Sequence, residues 1–214
     1  NSLVGSTASD QVGGLGVTAL SNGHYVVISS QWDKAGIADA GAVTWGNGAT
    51  AGPRTKGEIT PGNSLVGSQA NDQVGNNGVT ALGNGHYAVG SSLWDNGVVS
   101  NAGAVTWGNG EGGIAGAVSA GNSLVGSHTN DEVGSIGASG SPVKGVTAMR
   151  HADSTGNFLI QSPNYNGKQG AAWLVMDPAK AVAGIQAIEA EEKLSLEAAR
   201  DLRDTLGERR DGVL

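Results

Sequence analysis

The sequence predicts an all-β chain of β-propeller-like repeats, each with four short antiparallel strands, followed by a C-terminal α-helical tail. Three observations carry that expectation. The hexapeptide Asn-Ser-Leu-Val-Gly-Ser begins at Asn1, at Asn63 and at Asn122. Each copy leads the same succession of short β-prone runs, punctuated by Gly, Asn and Asp. Near Asp177 the glycines give way to Ala, Glu, Arg and Leu. Self-similarity at a fixed period marks stacked supersecondary units.

The repeats divide the chain into residues 1–62, 63–121 and 122–176, with the tail at 177–214. The strand Ser-Leu-Val-Gly-Ser opens each unit. A polar segment follows, holding Asp10, Asp72 or Asp131. A short acid after a strand can accept main-chain N–H groups and fix a turn, and its recurrence once per unit favours that structural role. A hairpin comes next, with Val17 to Leu20 and Tyr25 to Ile28 around Asn22-Gly23, repeated around Asn84-Gly85. Asn-Gly between β-prone runs is the strongest short hairpin signal, because both residues tolerate positive φ. The third unit lengthens this turn but keeps both arms. A loop then carries Trp32-Asp33 or Trp94-Asp95. The closing strand is Ala-Gly-Ala-Val-Thr-Trp-Gly-Asn-Gly, at Ala40 to Gly48 and Ala102 to Gly110. In the third unit Gly170 to Met176 takes its place, with Trp173 set nearly opposite Trp45 and Trp107. Four strands of about five residues per unit match one propeller blade. Three blades are too few to close a ring. Further blades outside this stretch, blades pooled from several chains, or open stacking would resolve that, and the first is favoured.

In the tail, Asp177-Pro178 reads as an N-cap and first helical residue. Val182, Ile185 and Ile188 follow at helical spacing, and Ser195 caps a second run with Leu196, Ala199, Leu202 and Leu206 on one face. About half of the chain's charges lie there, and Glu197, Arg200, Asp201, Arg203 and Asp204 suit i,i+3 and i,i+4 pairing. Such a narrow apolar face calls for a partner surface, as a cap or an assembly element.

Composition limits the function classes. The formal charge of −7 argues against a nucleic-acid partner, which needs clustered Lys and Arg, and against adhesion to anionic lipid. No run approaches the length of a membrane-spanning helix, so no membrane insertion is expected. The absence of cysteine excludes disulfides and thiolate metal sites. A Cys-free chain rich in Gly, Asn, Ser and Thr suits an exported bacterial protein. Because it starts at Asn1 rather than Met, it is expected to be processed or a fragment of something longer.

Candidate chemistry is sparse. His24 and His86 share one repeat position, too far apart to hold a common metal, and His128 and His151 lack ligand spacing. No nucleophile elbow, phosphate loop or facing pair of acids occurs. No catalytic residue, metal or cofactor is therefore expected. Trp45, Trp107 and Trp173 read as packing residues. The ligand-binding candidates are Trp32, Asp33, Trp94 and Asp95, with Tyr25 and Tyr87, because a loop aromatic beside an acid can stack on a sugar ring and bond its hydroxyls. Burial of the indoles against their own sheet is the competing reading.

The ordered motifs Gly-Val-Thr-Ala-Leu-x-Asn-Gly-His-Tyr, Trp-Asp, Ala-Gly-Ala-Val-Thr-Trp-Gly-Asn-Gly and Asn-Ser-Leu-Val-Gly-Ser resemble repeats of large bacterial exported adhesins of the filamentous-haemagglutinin and autotransporter type. The layout is also similar to FG-GAP propeller blades. It departs from them at the hairpin turns Ser21-Asn22-Gly23 and Gly83-Asn84-Gly85, which carry no carboxylate, so no calcium site is carried over. The resemblance implies a non-enzymatic module of an exported surface protein, extracellular or at the cell surface, serving adhesion or an extracellular assembly. Its partners would be copies of itself, further repeats of the same polypeptide, or a glycan or host surface. A carbohydrate-binding propeller using the Trp-Asp loops is the alternative, and a hydrolase with its site in other blades is a weaker third.

Overall fold

A computed structural model describes residues 2–49, 55–137, 143–149 and 156–176. The helical tail expected at 177–214 lies outside the described residues. What is described is mostly β-structure in small sheets that form no closed barrel. The short turn α1, Tyr165–Lys168, has left-handed residues inside it.

The strands in chain order are β1 (Leu3–Val4), β2 (Val17–Ala19), β3 (Tyr25–Ser29), β4 (Ala42–Gly46), β5 (Gly57–Glu58), β6 (Leu65–Val66), β7 (Val79–Ala81), β8 (Tyr87–Ser91), β9 (Ala104–Gly108), β10 (Gly116–Ala117), β11 (Ser123–Val125), β12 (Val146–Ala148), β13 (Phe158–Ser162) and β14 (Ala171–Val175). Sheet I has the order β10-β6-β4-β3-β2, sheet II β11-β9-β8-β7 and sheet III β12-β13-β14, while β1 and β5 form a separate pair.

The hairpins stand where Asn-Gly places them, with Val17 opposite Val27 and Val79 opposite Val89. Their turns differ from the expected pair of positive-φ residues. Gly23 and Gly85 have positive φ, whereas Asn22 and Asn84 do not. Leu20 N–H bonds His24 O and Gly23 N–H bonds Leu20 O, which makes a three-residue loop with a glycine bulge. Asn22 instead folds its Oδ1 over His24 N–H at 3.1 Å.

The larger difference is the phase of the sheets. The leading strand of each sequence unit does not join its own hairpin. β6 of the second unit pairs antiparallel with β4 of the first, Ala42 opposite Val66, and β11 of the third pairs with β9 of the second, Ala104 opposite Val125. Sheets I and II thus each straddle a sequence boundary, whereas sheet III lies within the third unit. Parallel pairs, absent from the four-strand expectation, are added at the edges: β5 beside β1 and β10 beside β6.

The sheets lie face to face, and the core is the set of layers between them. Val26, Ile28 and Val43 of sheet I pack with Val79, Tyr87 and Val89 of sheet II. The other face of sheet II, with Ala88 and Val105, packs with Val146, Phe158 and Ile160 of sheet III. Ala42, Val66 and Trp32 pack with Leu3, Val12 and Ile59 beside the β1–β5 pair. A central sheet is therefore apolar on both faces, which its small residues allow. Trp173 does not repeat Trp45. Ser29 opposes Ala42 and Ser162 opposes Ala171, which puts Trp173 at the position of Thr44, one residue out of phase and on the opposite face.

Close approach of the backbone holds adjacent layers. Gly41 (φ 77°) and Gly103 (φ 74°) sit where an added Cβ would collide with Val74 N and Val133 N of the next unit. Gly97 has a similar φ of 64° but open space around it. Gly103→Ala is expected to lower stability in a urea titration by about 2–4 kcal/mol through strain plus collision. Gly97→Ala is expected to cost about 1 kcal/mol through strain alone.

Candidate functional site: the aspartate junctions between sheets

The segment after the leading strand of the second and of the third unit is a staple between two sheets. At the middle junction, Asn71, Gln73 and Val74 donate their N–H groups to the Ala38, Asp39 and Ala40 carbonyls in the loop that leads into β4 of sheet I. Asn130, Glu132 and Val133 do the same to Ser100, Asn101 and Ala102 in the loop that leads into β9 of sheet II. The chain curves to make these contacts by holding Asn71, Gln73, Asn130 and Glu132 at positive φ, a region Asn tolerates better than most residues.

At the centre of each staple is the recurring aspartate, buried in every copy. Asp72 Oδ2 accepts Ser68 N–H at 2.7 Å and Gln69 N–H at 2.8 Å, and its Oδ1 accepts Asp95 N–H at 3.0 Å. Asp10 repeats this with Ser6, Thr7 and Asp33, and adds the Thr7 hydroxyl. Asp131 accepts Ser127 and His128 N–H on one oxygen and Asn166 N–H on the other. The carboxylate thus closes its own turn and anchors the loop that leaves the hairpin of the same unit. The turn-fixing role expected from the sequence is what the geometry contains.

Two hydroxyl contacts recur with it and were not singled out from sequence. Ser29, Ser91 and Ser162 Oγ accept Gly13, Gly75 and Gly134 N–H. Thr44 and Ser64 share a buried hydrogen bond of 2.7 Å, and Thr106 and Ser123 one of 2.6 Å. The signal was present: each serine stands three residues before the loop aromatic, and each Thr-Ser pair joins two repeated motifs.

The ligand-binding candidates fall within this framework. Trp32 and Trp94 are each 3% exposed, with sheet-packing neighbours on the first and second layers. Their indole N–H groups meet no acceptor among the described residues, so the rings act as apolar filler. Asp33 and Asp95 Oδ1 accept Asp39 and Asn101 N–H, closing the same loop. Tyr87 is wholly buried and Tyr25 partly so. Burial pushes the Tyr87 phenol well above its ordinary range, against a smaller opposing pull from the Ile114 backbone. The third copy of the Trp-Asp pair is Tyr165-Asn166, unrecognised by residue type but fixed by its spacing from Ser162. Asn166 N–H fills the place of Asp33 and Asp95 N–H, and Tyr165 packs edge-on to Trp173.

The histidines buttress the hairpins. His24 and His86 Nδ1 accept Gly48 and Gly110 N–H, and their rings lie against Trp45 and Trp107 at 4.9 and 5.0 Å. An accepting Nδ1 places the ring proton on Nε2. Side chains also bond the main chain of a neighbouring layer. Trp45 Nε1 and Asn22 Nδ2 both donate to Gly110 O, and Lys144 Nζ donates to Val79 O. No group of three or more His, Asp or Glu poised for a metal occurs among the described residues.

Stacked small sheets joined by buried-carboxylate staples define a β-rich repeat protein. The chain matches a family described as a repeat of unknown function (DUF5650) over residues 1–14, 19–76 and 81–135, more than half its length. It belongs to that family. Among curated proteins, none matches the chain.

The pKa values of Asp10 and Asp72, equivalent in sequence, are shifted in opposite directions. Burial would raise Asp10, but the Thr7 hydroxyl and the Thr7, Asp33 and Ser6 N–H groups outweigh it and leave its pKa below 3.8. Its stabilisation is present above the unfolded value and lost as pH falls through the lower folded one. For Asp72, burial outweighs the Asp95, Gln69 and Ser68 N–H bonds and, with the Asp95 charge, lifts the pKa above 3.8. That contribution is greatest below the unfolded value and lost as pH rises through the folded one. Carboxyl ¹³C NMR titration should place the Asp10 midpoint below the Asp72 midpoint, on opposite sides of 3.8. Asp72→Ala, which strands three N–H donors, is expected to lower stability by about 2–4 kcal/mol in denaturant melts at neutral pH.

Proposed function

We propose that this chain is a non-enzymatic structural module of an exported bacterial surface protein, contributing to adhesion or to an extracellular assembly. One observation carries the reading: the side chains that recur in register are engaged in holding sheets together. The repeated aspartates, Trp-Asp loops, Ser-Gly contacts and Thr-Ser pairs all face a turn or a neighbouring layer. Recurrence of this kind suits a spacer or scaffold, where a single unit does little and a stack presents a surface. Membership of a repeat family supports the same view. The adhesin-like order of motifs supports the extracellular setting, and so does a cysteine-free composition with net charge −7.

A carbohydrate-binding role through Trp32 and Trp94 would require the Trp-Asp loops to open, because each ring is covered. Two measurements separate the readings. Antibody raised against this chain is expected to label intact cells of the source bacterium, and labelling only after lysis would reject the surface role. On a glycan array the purified chain is expected to stay blank. A hit whose sugar quenches the tryptophan emission would favour the carbohydrate-binding alternative.

A further inference from the structure

Sheet I presents to solvent a face that sheets II and III bury. The hairpin positions facing the preceding layer are equivalent in the three sheets: Val17, Val79 and Val146; Tyr25, Tyr87 and Phe158; Val27, Val89 and Ile160. In sheets II and III all six residues are buried by the layer before them. In sheet I, Val17 is 62% exposed against 1% for Val79 and 6% for Val146, while Tyr25 and Val27 are only half-buried. Among the described residues, the β1–β5 pair and the cluster beside it cover part of that face.

The edge beside it is open in the same register. β1 is the counterpart of β6 and β11, which each lie antiparallel to an Ala-Val-Thr-Trp strand. β1 has its parallel partner β5, but no strand among the described residues lies on its other edge. Gly67 N–H bonds Gly41 O and Gly126 N–H bonds Gly103 O, alongside the three staple bonds of each later junction. The equivalent amides of Gly5, Ser9, Gln11 and Val12 meet no main-chain acceptor among the described residues. Ser2 is exposed where Ser64 and Ser123 are buried against threonine hydroxyls.

An apolar face, a strand edge, four amides and a serine, all in the positions of an intact junction, imprint one object. We propose that this front is the acceptor for a further, regular repeat unit of the same kind, whose Gly-Ala-Val-Thr-Trp strand lies antiparallel on β1. The surface continues interfaces already formed twice within the chain. Another copy of this chain does not supply the strand. β4 and β9 are engaged, and in β14 Trp173 replaces the threonine that would meet Ser2. On the far face of sheet III, Gln161 and Ala172 stand where sheet I has Ile28 and Val43. The stack therefore has a direction, open to growth at β1 and terminated at β14. This inference does not depend on where the protein acts.

The test joins a second copy of residues 63–121 ahead of Asn1 and compares amide hydrogen exchange in this extended chain and in the original. In the original the Gly5, Ser9, Gln11 and Val12 amides should exchange fast. In the extended chain they should slow by about 100-fold, as groups enclosed in a cooperative unit do. Val17→Lys should leave the melting temperature of the original unchanged and lower that of the extended chain. Equal exchange in both chains would overturn the proposal. So would slow exchange in the original that is lost either on dilution to a monomer or on truncation after Met176, since a second copy or residues 177–214 would then be the cover.

Discussion

A carboxylate taken out of water must be given donors, and here that requirement decides where one sheet ends and the next begins. Asp72 reaches N–H groups on its own turn and on the Trp94-Asp95 loop, so the two segments cannot move apart without stranding it. Because the same staple segment hands its own N–H groups to the carbonyls of Ala38 to Ala40, one side chain fixes three pieces of backbone. The sheets are only a few strands wide and hold few aromatic residues, with 4% of the chain in that class. Main-chain hydrogen bonding, organised around a buried acid, supplies order that large side chains supply elsewhere.

The offset between sequence unit and sheet follows from this staple. If each unit folded onto itself, consecutive units would touch through side chains alone and a linker would separate them. Lending the Ser-Leu-Val strand to the preceding sheet makes every boundary a β-ladder, as between Val43 and Leu65 or Val105 and Leu124. The glycines belong to the same logic. Gly41 and Gly103 let a neighbouring backbone come so close that no side chain fits between, and the Thr44–Ser64 bond then satisfies the hydroxyls trapped there. Nearest-neighbour coupling of this kind is what makes repeat stacks behave as one-dimensional assemblies.

Much of this was legible in the residues, for identifiable reasons. Repetition exposed the units, and Asn-Gly located the hairpins because the bulge glycine cannot easily be replaced. The recurring aspartates could be read as turn-fixing because a short acid after a strand has local donors to reach. Sheet phase was not legible. A strand that leads a unit has the same alternation whether it pairs backward or forward, and only the three-dimensional register separates the two. The fate of Trp32 and Trp94 was equally hidden, since a covered indole and one offered to a sugar have identical sequence surroundings. Tyr165-Asn166 escaped notice because the requirement at that position is a ring followed by a main-chain N–H, and neither is tied to tryptophan or aspartate.

The third unit shows which features of the repeat are obligatory. It keeps the carboxylate at Asp131, the serine at Ser162 and the hairpin face of Val146, Phe158 and Ile160, all of which look toward sheet II. It discards the features that look the other way: the isoleucine position becomes Gln161, the valine opposite it becomes Ala172, and Leu174 stands 52% exposed. Toward sheet II the changes keep or enlarge apolar contact, as where Trp173 replaces threonine, whereas on the far face they remove it, a difference that general drift would not produce. It is the pattern expected when one face still has a layer to hold and the other has none of the regular kind, so the position of a unit in the stack can be read from which half of its repeat it retains.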